Sequence, residues 1–194
     1  MPELPEVETT RRGLEPLVLG KRILSTHIYN KKLRWEIPSH LKESLKQKTI
    51  TKISRRAKYL LINFTHGQLV IHLGMSGSLR ILDKVDPIGK HDHFDLTVEN
   101  GTLLRLTDPR RFGAVLWTEQ PIEQHALFNH LGPEPLSTEF NSDYLIQKLS
   151  RRRISIKTAI MDSKVVVGVG NIYANEALFL AKIHPKIAAN ELST

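Results

Sequence analysis

The chain has 194 residues, with 28 lysines and arginines against 20 aspartates and glutamates, a formal charge of +8. Its 40% hydrophobic content supports one or two packed domains and excludes a disordered tail, and the absence of cysteine excludes disulfides, thiol catalysis and any cysteine-ligated zinc within it. The surplus of positive charge points to a polyanionic partner, either nucleic acid or an anionic membrane surface.

In chain order, Pro5 to Leu19 is predicted as a helix, with Val7, Leu14 and Val18 on one face at steps of three and four. Pro2 and Pro5 sit where a helix start tolerates proline, Glu3, Glu6 and Glu8 gather at its positive end, and Gly20 reads as its stop. From Arg22 to about Trp117 the pattern is β. Short runs are predicted as strands at Ile50–Ser54, Tyr59–Phe64, Gln68–Leu73, Leu79–Leu82, Phe94–Glu99, Leu103–Thr107 and Ala114–Trp117. His66-Gly67 and Asn100-Gly101 fit hairpin turns. Strands at this spacing predict an antiparallel sandwich. Residues 119–143 then carry five acidic residues, no lysine or arginine, and Pro121, Pro133 and Pro135, which reads as a hinge. Helical segments follow near Ser142–Leu149, Ile154–Met161 and Asn171–Leu180. No run approaches the roughly 18 apolar residues of a membrane span, and the N-terminus lacks the apolar stretch of a secretory signal, so a cytoplasmic protein is expected.

The charge is concentrated. Residues 31–58 hold ten basic and two acidic residues, and residues 148–164 hold six basic residues and only Asp162 as an acid. Basic stretches on both sides of the hinge suit a two-lobed clamp on a phosphate backbone, or simply a solvated charged surface.

Several residue groups can do chemistry. If Met1 is removed, Pro2 becomes a free secondary amine, and an α-amino group titrates near 7.7–8.0, roughly two units below lysine. Such an amine attacks an aldehyde carbon to give an iminium ion, with Glu3 and Glu6 at hand for proton transfer; the plainer reading is helix punctuation. Lys58 opens an apolar strand and reads as an acid, a phosphate clamp or a surface residue. His91-Asp92-His93 has the spacing to place both imidazoles on one strand face, for hydrogen bonding, phosphate contact or metal ligation, with no third ligand marked. The turns His72 to Gly77, with Met75, and Asp108 to Gly113, with Arg110 and Phe112, suit a wedge that unstacks a base, or else ordinary loop packing. Gly168-Val169-Gly170-Asn171 lacks the third glycine of a dinucleotide site, but a glycine turn opening a helix can cradle a phosphate.

Taken together, Pro2 to Glu8, Arg55 to Leu61, His72 to Gly77, His91 to His93, Asp108 to Gly113 and Gly168 to Glu176 resemble the bacterial formamidopyrimidine-DNA glycosylase family, in that family's order. The resemblance implies an α+β protein: an N-terminal antiparallel β-sandwich with an N-terminal helix (residues 1–120), a hinge region (121–140), and a partial helix–two-turn–helix DNA-binding domain (141–194). It implies a monomer acting on double-stranded DNA. The activity would be excision of oxidised purines, such as 8-oxoguanine and formamidopyrimidines, followed by strand cleavage at the abasic site. Pro2 would be the Schiff-base nucleophile, Glu3 the proton donor, and Lys58 an aid to β-elimination. His91, Arg110 and Arg152 would contact DNA, Lys157 and Asn171 its phosphates, and Met75, Arg110 and Phe112 would fill the void left by the flipped base. Family members continue into a lesion-capping loop and a four-cysteine zinc finger, so one zinc is expected in the family and none in this chain, which reads as a truncated product. On that expectation it binds weakly, cleaves preformed abasic sites and excises little 8-oxoguanine. The alternative readings are an impaired fragment that acts only as a damaged-DNA-binding module, and an unrelated RNA-binding protein.

Overall fold

The computed structural model describes residues 2–82 and 86–192. Met1, whose removal the nucleophile reading requires, and the terminal Thr194 lie outside the described residues. The fold is α+β and divides into two compact units, Met1–Pro121 and Ile122–Thr194.

The first unit opens with helix α1 (Leu4–Val18), whose buried stripe is Leu4, Val7, Leu14 and Val18. The position midway along that stripe is Arg11, which Glu8 and Glu15 neutralise at 3.0 and 2.7 Å. Gly20, just past the helix, has φ +74°, the left-handed conformation of a helix stop. The strands are β1 (Ile23–Ile28), β2 (Lys52–Arg56), β3 (Tyr59–Asn63), β4 (Gln68–His72), β5 (Ser78–Leu82), β6 (Asp92–Val98), β7 (Leu103–Thr107) and β8 (Ala114–Thr118), with a short helix α2 (Leu41–Leu45) between β1 and β2. They form two antiparallel four-stranded sheets, ordered β1-β6-β7-β5 and β2-β3-β4-β8. Alternating residues from both sheets, such as Leu60, Ile62, Leu69 and Ile71 from one and Phe94, Leu96, Leu104 and Leu106 from the other, share one core with Val7, Leu14 and Leu41. Gly67 and Gly101 take φ +94° and +86° at their hairpins.

Three elements differ from expectation. β1 carries polar Ser25, Thr26 and His27, which hide it as an apolar run, yet it pairs with β6. α2 is five residues long, below the length at which periodicity is readable. β2 lies two residues later than its predicted position. Ile50 is instead bonded to the segment after α1, through Gly20 N–H to Ile50 O at 2.9 Å and Ile50 N–H to Lys21 O at 2.9 Å. Arg55 and Arg56 therefore stand inside the strand.

The second unit contains α3 (Ser142–Leu149), α4 (Ile156–Met161) and α5 (Asn171–Leu180) around a small core of Leu149, Ile156, Ala159, Val165, Leu178 and Ala189. Asn141 and Ser155 cap α3 and α4 by accepting from Tyr144 N–H and Thr158 N–H. Residues 122–141 are tied into this unit, since Gly132 N–H donates to Ser163 O at 2.8 Å and Val167 N–H to Pro133 O at 3.1 Å.

Candidate active site

The start of α1 is closed by a capping box between Glu3 and Glu6, in which the Glu6 carboxylate accepts from Glu3 N–H at 2.8 Å. The box leaves Glu3 wholly buried, with Pro2 half-buried just before it. Lys58 approaches the same point from β2–β3. Arg56 pairs with Tyr59, so Ala57 and Lys58 form a two-residue hairpin, and Ala57 takes φ +54°, a region that favours glycine. Arg55 steadies the turn, donating from Nη1 to Ala57 O at 2.8 Å while its Nε faces Glu8 Oε2 at 3.3 Å. Glu8 is shared with Arg11 and Arg12, and these hydrogen bonds, Arg11's foremost, hold its carboxyl down at about 2 against the opposing effect of burial. An ion network thus runs from α1 to the residue before Lys58. Burial pushes the Lys58 ammonium below its ordinary value, and the negative charges of Glu3 and Glu6 push back. Lys58, far from Glu3 and Glu6 in sequence, therefore lies within electrostatic reach of both at the start of α1, where Pro2 directly precedes Glu3.

The site continues along β4. His72 packs against Tyr59 in a tilted arrangement, with ring centroids 4.7 Å apart and the planes at 51°. Burial first, then the cations Arg34 and Lys58, lower its imidazole to about 4, so it is neutral at physiological pH. Its Nδ1 accepts Gly74 N–H at 2.9 Å, which leaves the ring proton on Nε2 as a donor. Beyond it lies a cavity of about 310 Å³ lined by Arg34, His72, Gly74, Met75 and Phe112. Met75 and Phe112 are 41% and 45% exposed, large apolar side chains held out at turn tips. The Arg110 guanidinium carbon lies 4.8 Å from the Phe112 ring centre.

His91 does not share a strand face with His93. It occupies the turn before β6, and an irregularity between Asp92 and Phe94 breaks the alternation. His93 is buried and its Nε2 bonds the Asp108 carbonyl at 2.8 Å, while His91 is half-buried. In the second unit, Arg152 forms an ion pair with Asp162 at 2.7 Å, Lys157 is half-buried in α4, and Asn171 is exposed as the first residue of α5, whose N-cap is Gly170. Sequence reading missed the Glu8–Arg55 pair and the buried Asp108. For Asp108 the available signal was Asp-Pro, a turn-initiating dipeptide.

Among the described residues no group of three or more His, Asp or Glu could hold a metal. The sequence has no cysteine, so the residues present do not fit the zinc of a four-cysteine finger.

Residues 1–115 match the formamidopyrimidine-DNA glycosylase N-terminal domain, and residues 131–194 match the helix–two-turn–helix domain of the same enzymes. The formamidopyrimidine-DNA glycosylase of Saccharophagus degradans is 58% identical over 193 residues, covering all of this chain and 71% of that protein. That of Hydrogenovibrio crunogenus is 57% identical, with 69% of its length covered. The Lactococcus lactis enzyme, solved with abasic-site DNA, superposes with a TM-score of 0.91 at 36% identity, over 98% of this chain and 71% of that one. This chain belongs to the formamidopyrimidine-DNA glycosylase family.

Proposed function

We propose that this chain is a base-excision repair enzyme that removes oxidised purines, 8-oxoguanine and formamidopyrimidines, from double-stranded DNA and then cleaves the strand at the abasic site. The observation that carries this reading is the capping box at the start of α1, which buries Glu3 directly after Pro2, with Lys58 within electrostatic reach of Glu3 and Glu6. Supporting it, family relatives have been solved with abasic-site and Fapy-dG DNA.

In this reading, with Met1 removed, the Pro2 nitrogen attacks C1′ of the damaged nucleotide. The bond to the base breaks and the base leaves with a proton; the C1′–O4′ bond of the sugar then opens, O4′ takes a proton, and the Pro2 nitrogen becomes an iminium. The buried Glu3 carboxyl supplies and recovers protons beside that nitrogen. β-Elimination then removes a C2′ proton and expels the 3′ phosphate oxygen. Lys58, its ammonium destabilised by burial, exchanges its proton more readily than a surface lysine and assists this step. His91, Arg110 and Arg152 contact DNA, Lys157 and Asn171 hold phosphates, and Met75, Arg110 and Phe112 fill the gap left by the extruded nucleotide. Residues 1–120 serve as the catalytic domain, 121–140 as a hinge and 141–194 as the helical DNA-binding domain. The protein works as a monomer in the cytoplasm beside the bacterial DNA, and no step in this scheme uses a metal.

The test is borohydride trapping on a duplex with one abasic site. The expected result is a covalent adduct mapping to Pro2, lost when the N-terminus is extended and slowed by Glu3→Gln. An adduct on Lys58 overturns the assignment, and duplex binding with no adduct identifies a DNA-binding module instead.

A further inference from the structure

The two turns read as the wedge are joined by one side chain. Asp108 follows β7 and is wholly buried. Its Oδ1 accepts from Ser76 Oγ at 2.8 Å and from Arg110 N–H at 3.2 Å, and its Oδ2 accepts from Gly113 N–H at 2.7 Å. Its backbone is fixed as well: His93 Nε2 bonds the carbonyl at 2.8 Å, and Asp108 N–H donates to His91 O at 2.9 Å. The neighbouring backbones touch closely enough to exclude side chains. A Cβ on Gly74 would stand 2.5 Å from Gly113 N and Phe112 C, and one on Gly113 would stand 2.8 Å from His72 O. One carboxylate therefore ties the turn that carries Met75 to the turn that carries Arg110 and Phe112.

We propose that Asp108, with Ser76 as its link to the first turn, is a positioning residue for the wedge. It touches no DNA and acts through Met75, Arg110 and Phe112. A fully buried carboxylate with hydrogen bonds to both turns fixes the separation of the two tips before DNA arrives. The protein then spends little ordering entropy on insertion. Had the tips been carried on separately anchored loops, each would have to be ordered on the DNA. This inference rests on the wedge role assigned above.

The test uses Ser76→Ala, which removes one bond and leaves the other contacts of Asp108 in place. The probe is a duplex with a tetrahydrofuran abasic analogue and 2-aminopurine next to the site, followed by stopped-flow fluorescence, with anisotropy reporting binding separately. The rate of the fluorescence rise should fall about tenfold, the scale for losing one hydrogen bond to a charged group. Combined with Met75→Ala, Ser76→Ala should add nothing further, because its effect passes through Met75. Full additivity, or an unchanged rate in Ser76→Ala where Met75→Ala is slow, overturns the positioning role. A normal rate in Met75→Ala overturns the wedge reading and with it this inference.

Discussion

The buried charge cluster of the first unit offers the sharpest test of how this fold is held. Arg105 on β7 is 4% exposed and meets Asp95 through two hydrogen bonds, Nε to Oδ1 at 2.9 Å and Nη2 to Oδ2 at 2.8 Å. It also reaches Asp92 Oδ2 at 3.3 Å and Pro87 O at 2.9 Å, and Tyr29 donates its hydroxyl to Asp95 Oδ2 at 2.8 Å. Arg105→Met keeps much of the packed stem but leaves two carboxylates, 1% and 7% exposed, without their cation. Removing one partner of a buried pair costs about 3–5 kcal/mol. In a unit of this size, each kcal/mol lowers the midpoint by roughly 3–5 °C, so the variant should melt roughly 10–25 °C below the parent. Trp35 and Trp117 both lie in the first unit, so tryptophan fluorescence follows its unfolding. A midpoint within 2–3 °C of the parent would refute the argument that Arg105 compensates buried charge.

The other predictions concern the helix, the wedge turns and the DNA. Glu8→Gln should cost about 1–2 kcal/mol at pH 7, with the pairs discounted for solvent screening. Because the carboxyl is held at about 2 in the fold, that difference should be complete above the unfolded value near 4.5 and vanish as pH falls toward 2; denaturant melts across this range read it directly. Gly74→Ala, at φ +64° and facing backbone at 2.5 Å, should destabilise by about 2–4 kcal/mol. Gly13→Ala, in α1 with nothing within 4 Å, should stabilise by about 0.5–1 kcal/mol, and calorimetry on the pair checks both signs. Affinity for an abasic duplex should fall at least about tenfold between 50 and 200 mM salt, the loss expected for two or more neutralised phosphates. A flat titration would count against phosphate binding by the basic stretches.

Where the chain's local chemistry and its tertiary surroundings agree, the sequence was readable. Gly67 and Gly101 sit at positive φ in hairpins that His66-Gly67 and Asn100-Gly101 announce. α1 shows its stripe because Val7, Leu14 and Val18 all face the core. Reading failed where a distant partner changes the meaning of a residue. Arg55 in β2 looks like loop charge until Glu8 arrives from α1 to neutralise it, which moved that strand by two residues. β1 looks polar because its pairing with β6, rather than an apolar run, makes it a strand. The spacing of His91 and His93 promised a shared face, and the irregularity in β6 cancelled it. Asp108 showed only a turn dipeptide, since the partners that give it importance, Ser76 and His93, come from other turns and strands.

The capping box at the head of α1 has a consequence for turnover. Because Glu6 already satisfies the backbone N–H of Glu3, the helix is capped one residue after Pro2. In the proposed scheme, the Pro2 nitrogen therefore forms its bond to carbon, carries it through elimination and releases it by hydrolysis beside a helix start that is already closed, so each turnover begins from the same folded N-terminus.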